Sequence, residues 1–149
     1  MKPTTIIMAL SLLLLWGLTC CAQANADTKV IKSQENYKIL AGNQVDETGK
    51  LKGRFLLEIV PVGKVWKFAE KAPVIVDIEP PEGLKLEHTK LRMKHLAIKD
   101  LKRYRFEVPY QASAKKEYEL KFKFDFVICT DELCQKKRFE LSYKLSSGK

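Results

Sequence analysis

Apolar and polar side chains alternate with a period of two along the carboxyl-terminal part of this chain. Tyr118, Leu120, Phe122, Phe124, Phe126 and Ile128 occupy every second position, interleaved with Glu119, Lys121, Lys123, Asp125 and Val127. Phe139, Leu141, Tyr143 and Leu145 resume the pattern, interleaved with Glu140, Ser142 and Lys144. On a helix these residues would spread around the whole circumference; on an extended chain they fall on one face. Both runs therefore read as half-buried strands. The stretch between them, from Cys129 to Cys134, closes them into a hairpin.

The same period recurs upstream. Arg54 to Val60 reads as a strand ended by Pro61 and Gly63. Trp66 and Phe68 share one face of the segment Val65 to Phe68. Val74 to Ile78 is a short apolar strand stopped by Pro80-Pro81 and the Glu82-Gly83 turn. Residues 84 to 99 alternate weakly, with Leu84, Leu86, Leu91 and Met93 among charged neighbours. Arg103 to Tyr110 sets Tyr104, Phe106, Val108 and Tyr110 on one side. No segment from 54 onward keeps a helical period. About seven short strands separated by turns predict an all-β domain over 54–149, an immunoglobulin-like antiparallel β-sandwich with two apolar faces meeting. Residues 27–53 are polar and turn-rich, and read as an extended arm with one weak strand around Tyr37 to Leu40.

Residues 1–26 have a different composition. Lys2 is the only charge, an apolar run extends from Ile6 to Leu18, and Ala24-Asn25-Ala26 supplies small residues at a cleavage position. This is the pattern of a secretory signal peptide cut after Ala26. The apolar run is short of the ~20 residues a spanning helix needs, so a retained membrane anchor ranks second. Thr19 and Cys20 are poor residues to precede a lipid-modified Cys20 or Cys21. The exported chain then starts at Asp27, has no stable membrane span, and lies in the periplasm.

Export leaves Cys129 and Cys134 as the cysteines of the mature chain. In an oxidising compartment a pair five positions apart should meet as a disulfide. Closing so short a loop stabilises a fold by only about 2 kcal/mol, and exposed disulfides are the more easily reduced ones. A redox role and a passive clip are both open on these grounds. Charge does not decide between them: Asp131 and Glu132 oppose a thiolate, while Lys136, Lys137 and Arg138 favour one.

From Gly63 to Leu145 the sequence resembles the amino-terminal periplasmic domain of the DsbD family of thiol:disulfide interchange proteins. The resemblance is carried by the aromatic segment near Trp66, by VIVDIEPPEGLKL at 74–86, by RFEVPYQ at 105–111 and by VICTDELC at 127–134. It implies an immunoglobulin-like sandwich whose Cys129 and Cys134 are a redox-active pair, with Cys134 forming the mixed disulfide. It also implies a loop covering the pair. The equivalent loop is placed within 84–96, where Leu91 or Met93 supplies the cover in place of an aromatic residue. Gln135-Lys136-Lys137 stands where the family has an aromatic residue and two prolines. The implied partners are thioredoxin-like periplasmic proteins, or a membrane thiol reductase acting in trans.

Other chemistry finds little footing. There is no GxGxxG or GxxxxGK[ST] string, and no cofactor is expected. His88 and His95 could join the cysteines around zinc only at a spacing that matches no common motif. The net charge of +9, or +8 once Lys2 is removed, is spread mostly over lysines on solvent faces; nucleic acid is not an expected partner. The reading is thus an exported thiol–disulfide exchange domain acting through Cys129 and Cys134. The alternative is a non-catalytic binding or structural sandwich whose disulfide staples a hairpin.

Overall fold

The structure, a computed structural model, describes residues 28–46 and 51–148. The signal peptide expected over residues 1–26, with Cys20 and Cys21, lies outside the described residues. Eleven strands follow in order: β1 Thr28–Ser33, β2 Tyr37–Val45, β3 Lys52–Pro61, β4 Lys67–Phe68, β5 Ile75–Glu79, β6 Leu84–Leu86, β7 Lys90–Leu91, β8 Leu96–Asp100, β9 Arg103–Ala112, β10 Glu117–Cys129 and β11 Cys134–Ser146. A single 3₁₀ turn, Met93–His95, precedes β8.

The strands form two antiparallel sheets, an immunoglobulin-like β-sandwich. One sheet runs β1-β2-β3-β9-β6, with β8 on the same edge of β9 as β6. The other runs β11-β10-β5-β7, with β4 beyond β5 on the edge of β10. The facing layers bury the alternating residues as expected. Tyr104, Phe106, Val108 and Tyr110 of β9 meet Leu120, Phe122, Phe124, Phe126 and Ile128 of β10 in one core. Each fully buried Phe of this kind stabilises the fold by roughly 1.5–3 kcal/mol. Stacked rings join the layers, with Phe55 against Phe122 at 5.4 Å.

The structure corrects the reading of residues 27–53 as an arm. β1 and β2 are full members of the larger sheet, and β2 pairs with β3 from Tyr37–Pro61 to Val45–Gly53. Tyr37, Ile39 and Ala41 are buried. The Tyr37 ring lies on Phe139 and meets Phe126 edge-on, so this segment closes one side of the sandwich. The weakly alternating stretch 84–99 resolves into β6, β7, the 3₁₀ turn and β8. Each of its strands is five residues or shorter, which is why its period is faint.

Candidate functional site

The β10–β11 hairpin is paired at every residue from Glu117–Ser146 to Cys129–Cys134. That unbroken register brings the two cysteines directly opposite each other. Their Cα atoms are 4.0 Å apart and a disulfide joins them. The separation is that of the close, non-hydrogen-bonded kind of cross-strand pair. Beyond them the loop Thr130–Leu133 is tied by a backbone bond from Thr130 N–H to the Leu133 carbonyl, 2.8 Å. The Thr130 hydroxyl accepts from the N–H groups of Glu132 and Leu133, both at 3.2 Å, the local hydroxyl-to-backbone closure that favours threonine in turns.

The two sulfur-bearing residues are unequal. Cys129 is 7% exposed, whereas Cys134 is open to solvent at the start of an edge strand. The difference follows from position in the sheet. β10 is an interior strand, flanked by β11 on one side and by β5 and β4 on the other. Among the described residues β11 has a strand partner, β10, on one side alone.

β4 supplies the second neighbour of Cys129. Lys67 pairs with Cys129 and Phe68 with Ile128. Phe68 and Ile128 point into the core, so Lys67, Cys129 and Cys134 form a row on the outer face of the sheet. The Lys67 ammonium donates to the Asp131 carboxylate at 2.7 Å. That hydrogen bond holds the Asp131 carboxyl below the usual range and raises the Lys67 ammonium above its own.

Other segments gather at the same end. The Lys102 ammonium donates to the carbonyls of Lys64, at 2.9 Å, and of Trp66. Phe68 N–H donates to the Leu101 carbonyl, 2.8 Å. The Asn36 side-chain amide donates to Gln135, 2.9 Å. Val65 and Leu133 expose apolar side chains on these loops, 63% and 48% accessible.

The cover expected from residues 84–96 is not there. Leu91 is buried in the core and pairs with Val76, which in turn pairs with Phe124. Phe124 is five residues before Cys129, roughly 17 Å along the strand at ~3.3 Å per residue. β6, at the start of that segment, pairs with Tyr110–Ala112, at the opposite end of β9 from Tyr104. The segment alongside the disulfide is instead β4 with the 62–66 loop before it. A two-residue strand has no period to read, and this left Lys67 unidentified from sequence.

The charges around the sulfurs sort themselves by pairing. Asp131 is engaged by Lys67. Asp125 accepts from Arg138 at 2.7 Å and lies 3.2 Å from the Lys136 ammonium. His88 and His95 stack on each other with ring centroids 4.5 Å apart. His95 Nδ1 accepts from Arg92 N–H, and burial, then the neighbouring His88, lowers its pKa. Among the described residues no group of three or more metal-type side chains comes together, and no helix is long and apolar enough to cross a membrane.

No family model matches the sequence, and no curated protein matches it. Among solved structures, the GAE domain of GGA2p from Saccharomyces cerevisiae is similar in fold. Its TM-score is 0.53 at 8% identity, over 81% of this chain and 99% of that one. The yeast GGA1 GAE domain gives 0.48 at 12% identity, over 78% and 99%. The N-terminal periplasmic domain of ScsB from Proteus mirabilis gives 0.40 at 12% identity, over 78% of this chain and 49% of that one.

Proposed function

We propose that this chain is an exported thiol–disulfide exchange domain, passing reducing equivalents between thioredoxin-like proteins, or from a membrane thiol reductase in trans, through Cys129 and Cys134. The observation that carries this reading is the unequal exposure of a joined pair. A partner thiolate has access to Cys134, and Cys129 is the sulfur that must leave. Exchange requires attack on one identifiable sulfur through a mixed disulfide. The sequence resemblance at 127–134 supports the same assignment of Cys134. The signal-peptide pattern of residues 1–26 supports a periplasmic setting.

Titration of the chain from Asp27 against a glutathione redox series tests the proposal. A carrier is expected to open within the range of periplasmic thiol proteins. A potential below about −300 mV, typical of structural disulfides, overturns it.

The second reading, a sandwich whose disulfide only staples a hairpin, is favoured by the direct cross-strand placement of the pair. Under that reading a chain lacking both cysteines keeps all partner binding. Loss of partner coupling in that variant counts against the staple.

A further inference from the structure

Resting on the exchange reading above, we propose that Lys67 is a positioning residue for the exchange, its ammonium stabilising the Cys129 thiolate released when a partner opens the disulfide, with Asp131 competing for it. Cys129 has two cross-strand neighbours on its face: Cys134 on β11 and Lys67 on β4. Directly opposed side chains have Cβ atoms about 4.5–5.5 Å apart. The Lys67 ammonium is moreover carried to the loop that the disulfide closes, by its 2.7 Å contact with Asp131.

The other charges facing this spot leave Lys67 the role. On β11, Lys136 and Arg138 are committed to Asp125 on β10. Lys102 is held by backbone carbonyls and adds its field to Asp131. Asp131 and Glu132 on the loop oppose a thiolate, and Glu70 reinforces the charge of Lys67.

The step balances as follows. A thiolate of a partner dithiol attacks Cys134 Sγ. The partner sulfur–Cys134 bond forms, the Cys129–Cys134 bond breaks, and its electron pair leaves on Cys129 Sγ. The partner's second thiolate then attacks its own sulfur in the mixed disulfide and releases Cys134 as a thiolate. Two electrons have entered this chain, the partner holds the new disulfide, and the released thiolates take protons from solvent. A cation beside Cys129 lowers the basicity of the leaving sulfur, and thiols of lower pKa leave faster.

The test uses K67M, which keeps the aliphatic stem, K67R, which restores the charge, and D131N. Reduction by dithiothreitol is timed by quenching with a mass-tagged alkylator. Cys129 is titrated separately by the pH dependence of iodoacetamide alkylation in a C134S background. K67M is expected to slow reduction roughly two- to fivefold and to move the Cys129 titration upward. K67R restores both, D131N shifts both the other way, and 0.5 M salt shrinks the differences. An unchanged Cys129 titration in K67M, or a K67R that behaves like K67M, overturns the proposal. The Lys67 side chain is 41% exposed, so K67M should fold; its urea midpoint verifies this. The glutathione titration of the unmodified chain judges the shuttle reading independently. A structural potential sinks that reading whatever Lys67 does, and a carrier potential with a silent K67M sinks only this one.

Discussion

Phe68 lies flat against Tyr104, ring centroids 3.6 Å apart and planes 5° from parallel. The contact joins β4 of one sheet to β9 of the other at the end of the sandwich that carries the disulfide. Both rings are buried. The stack therefore fixes a strand too short to hold itself, and with it Lys67 beside Cys129. Truncating Phe68 to Ala is expected to cost about 3–5 kcal/mol, the range for large-to-small aromatic changes in a core. Urea unfolding of F68A reads the loss. Because it frees Lys67 from its place beside Cys129, F68A should also slow reduction of the disulfide by dithiothreitol relative to F55A, which creates a comparable void under Phe122 and Tyr143 instead.

The disulfide itself contributes little to stability. The ring it closes spans six residues, and constraining so short a loop in the unfolded chain stabilises by about 2 kcal/mol. The hairpin it closes is already paired at thirteen positions. A C129A/C134A chain is expected to remain folded with an unchanged urea slope and a lower midpoint. Unfolding of this variant at room temperature would show the bond to be structural.

How far the sequence revealed this arrangement depended on the strength of the period. β10 and β11 announce themselves because long apolar side chains alternate with polar ones along most of β10 and from Phe139 to Leu145 of β11. β2 buries Tyr37, Ile39 and Ala41, but its inward run continues through small and polar residues, so half its signal is missing. The cysteine pair was legible because register within one hairpin is local. The contact of Lys67 with Cys129 and Asp131 spans more than sixty residues of chain and depends on where β4 docks. Nothing in the spacing of LKGRFLLEIVPVGKVWKF fixes that position. The misplaced cover at 84–96 has the same origin.

Asp125 gives the outer face of the hairpin a pH dependence. Burial pushes its carboxyl up, but hydrogen bonds from Arg138 and Lys136 outweigh this and leave it below the ordinary carboxylate value. A carboxyl depressed in the folded state stabilises above its unfolded pKa of about 3.9, and that contribution is lost as pH falls through the folded value. Above pH 5 the contribution is constant. Both cations are largely in solvent, so its size is at most about 1 kcal/mol. D125N is expected to lower stability by that amount at pH 7 and to remove part of the decline below pH 4. Equal acid sensitivity in D125N and the parent chain, followed by circular dichroism, refutes the assignment.

The reduced protein should keep the inequality of its two cysteines. β10 stays between β11 and β4, so Cys129 remains covered while Cys134 stands at the open start of an edge strand. Alkylation depends on access as well as on thiolate fraction. In C129S the remaining thiol at Cys134 is expected to react with iodoacetamide at least about tenfold faster than the thiol at Cys129 in C134S. The same two variants separate the roles in exchange. C129S has lost the group that resolves a mixed disulfide, so it should accumulate one with a thioredoxin-like protein whose resolving cysteine is replaced and whose remaining sulfur is carried as a mixed disulfide with thionitrobenzoate, which leaves as the Cys134 thiolate attacks. C134S should trap little, because its remaining sulfur is the shielded one. Non-reducing gel mobility reads both results. Equal trapping by the two variants would mean that burial of Cys129 does not govern attack, and the asymmetry on which the exchange assignment rests would carry no chemistry.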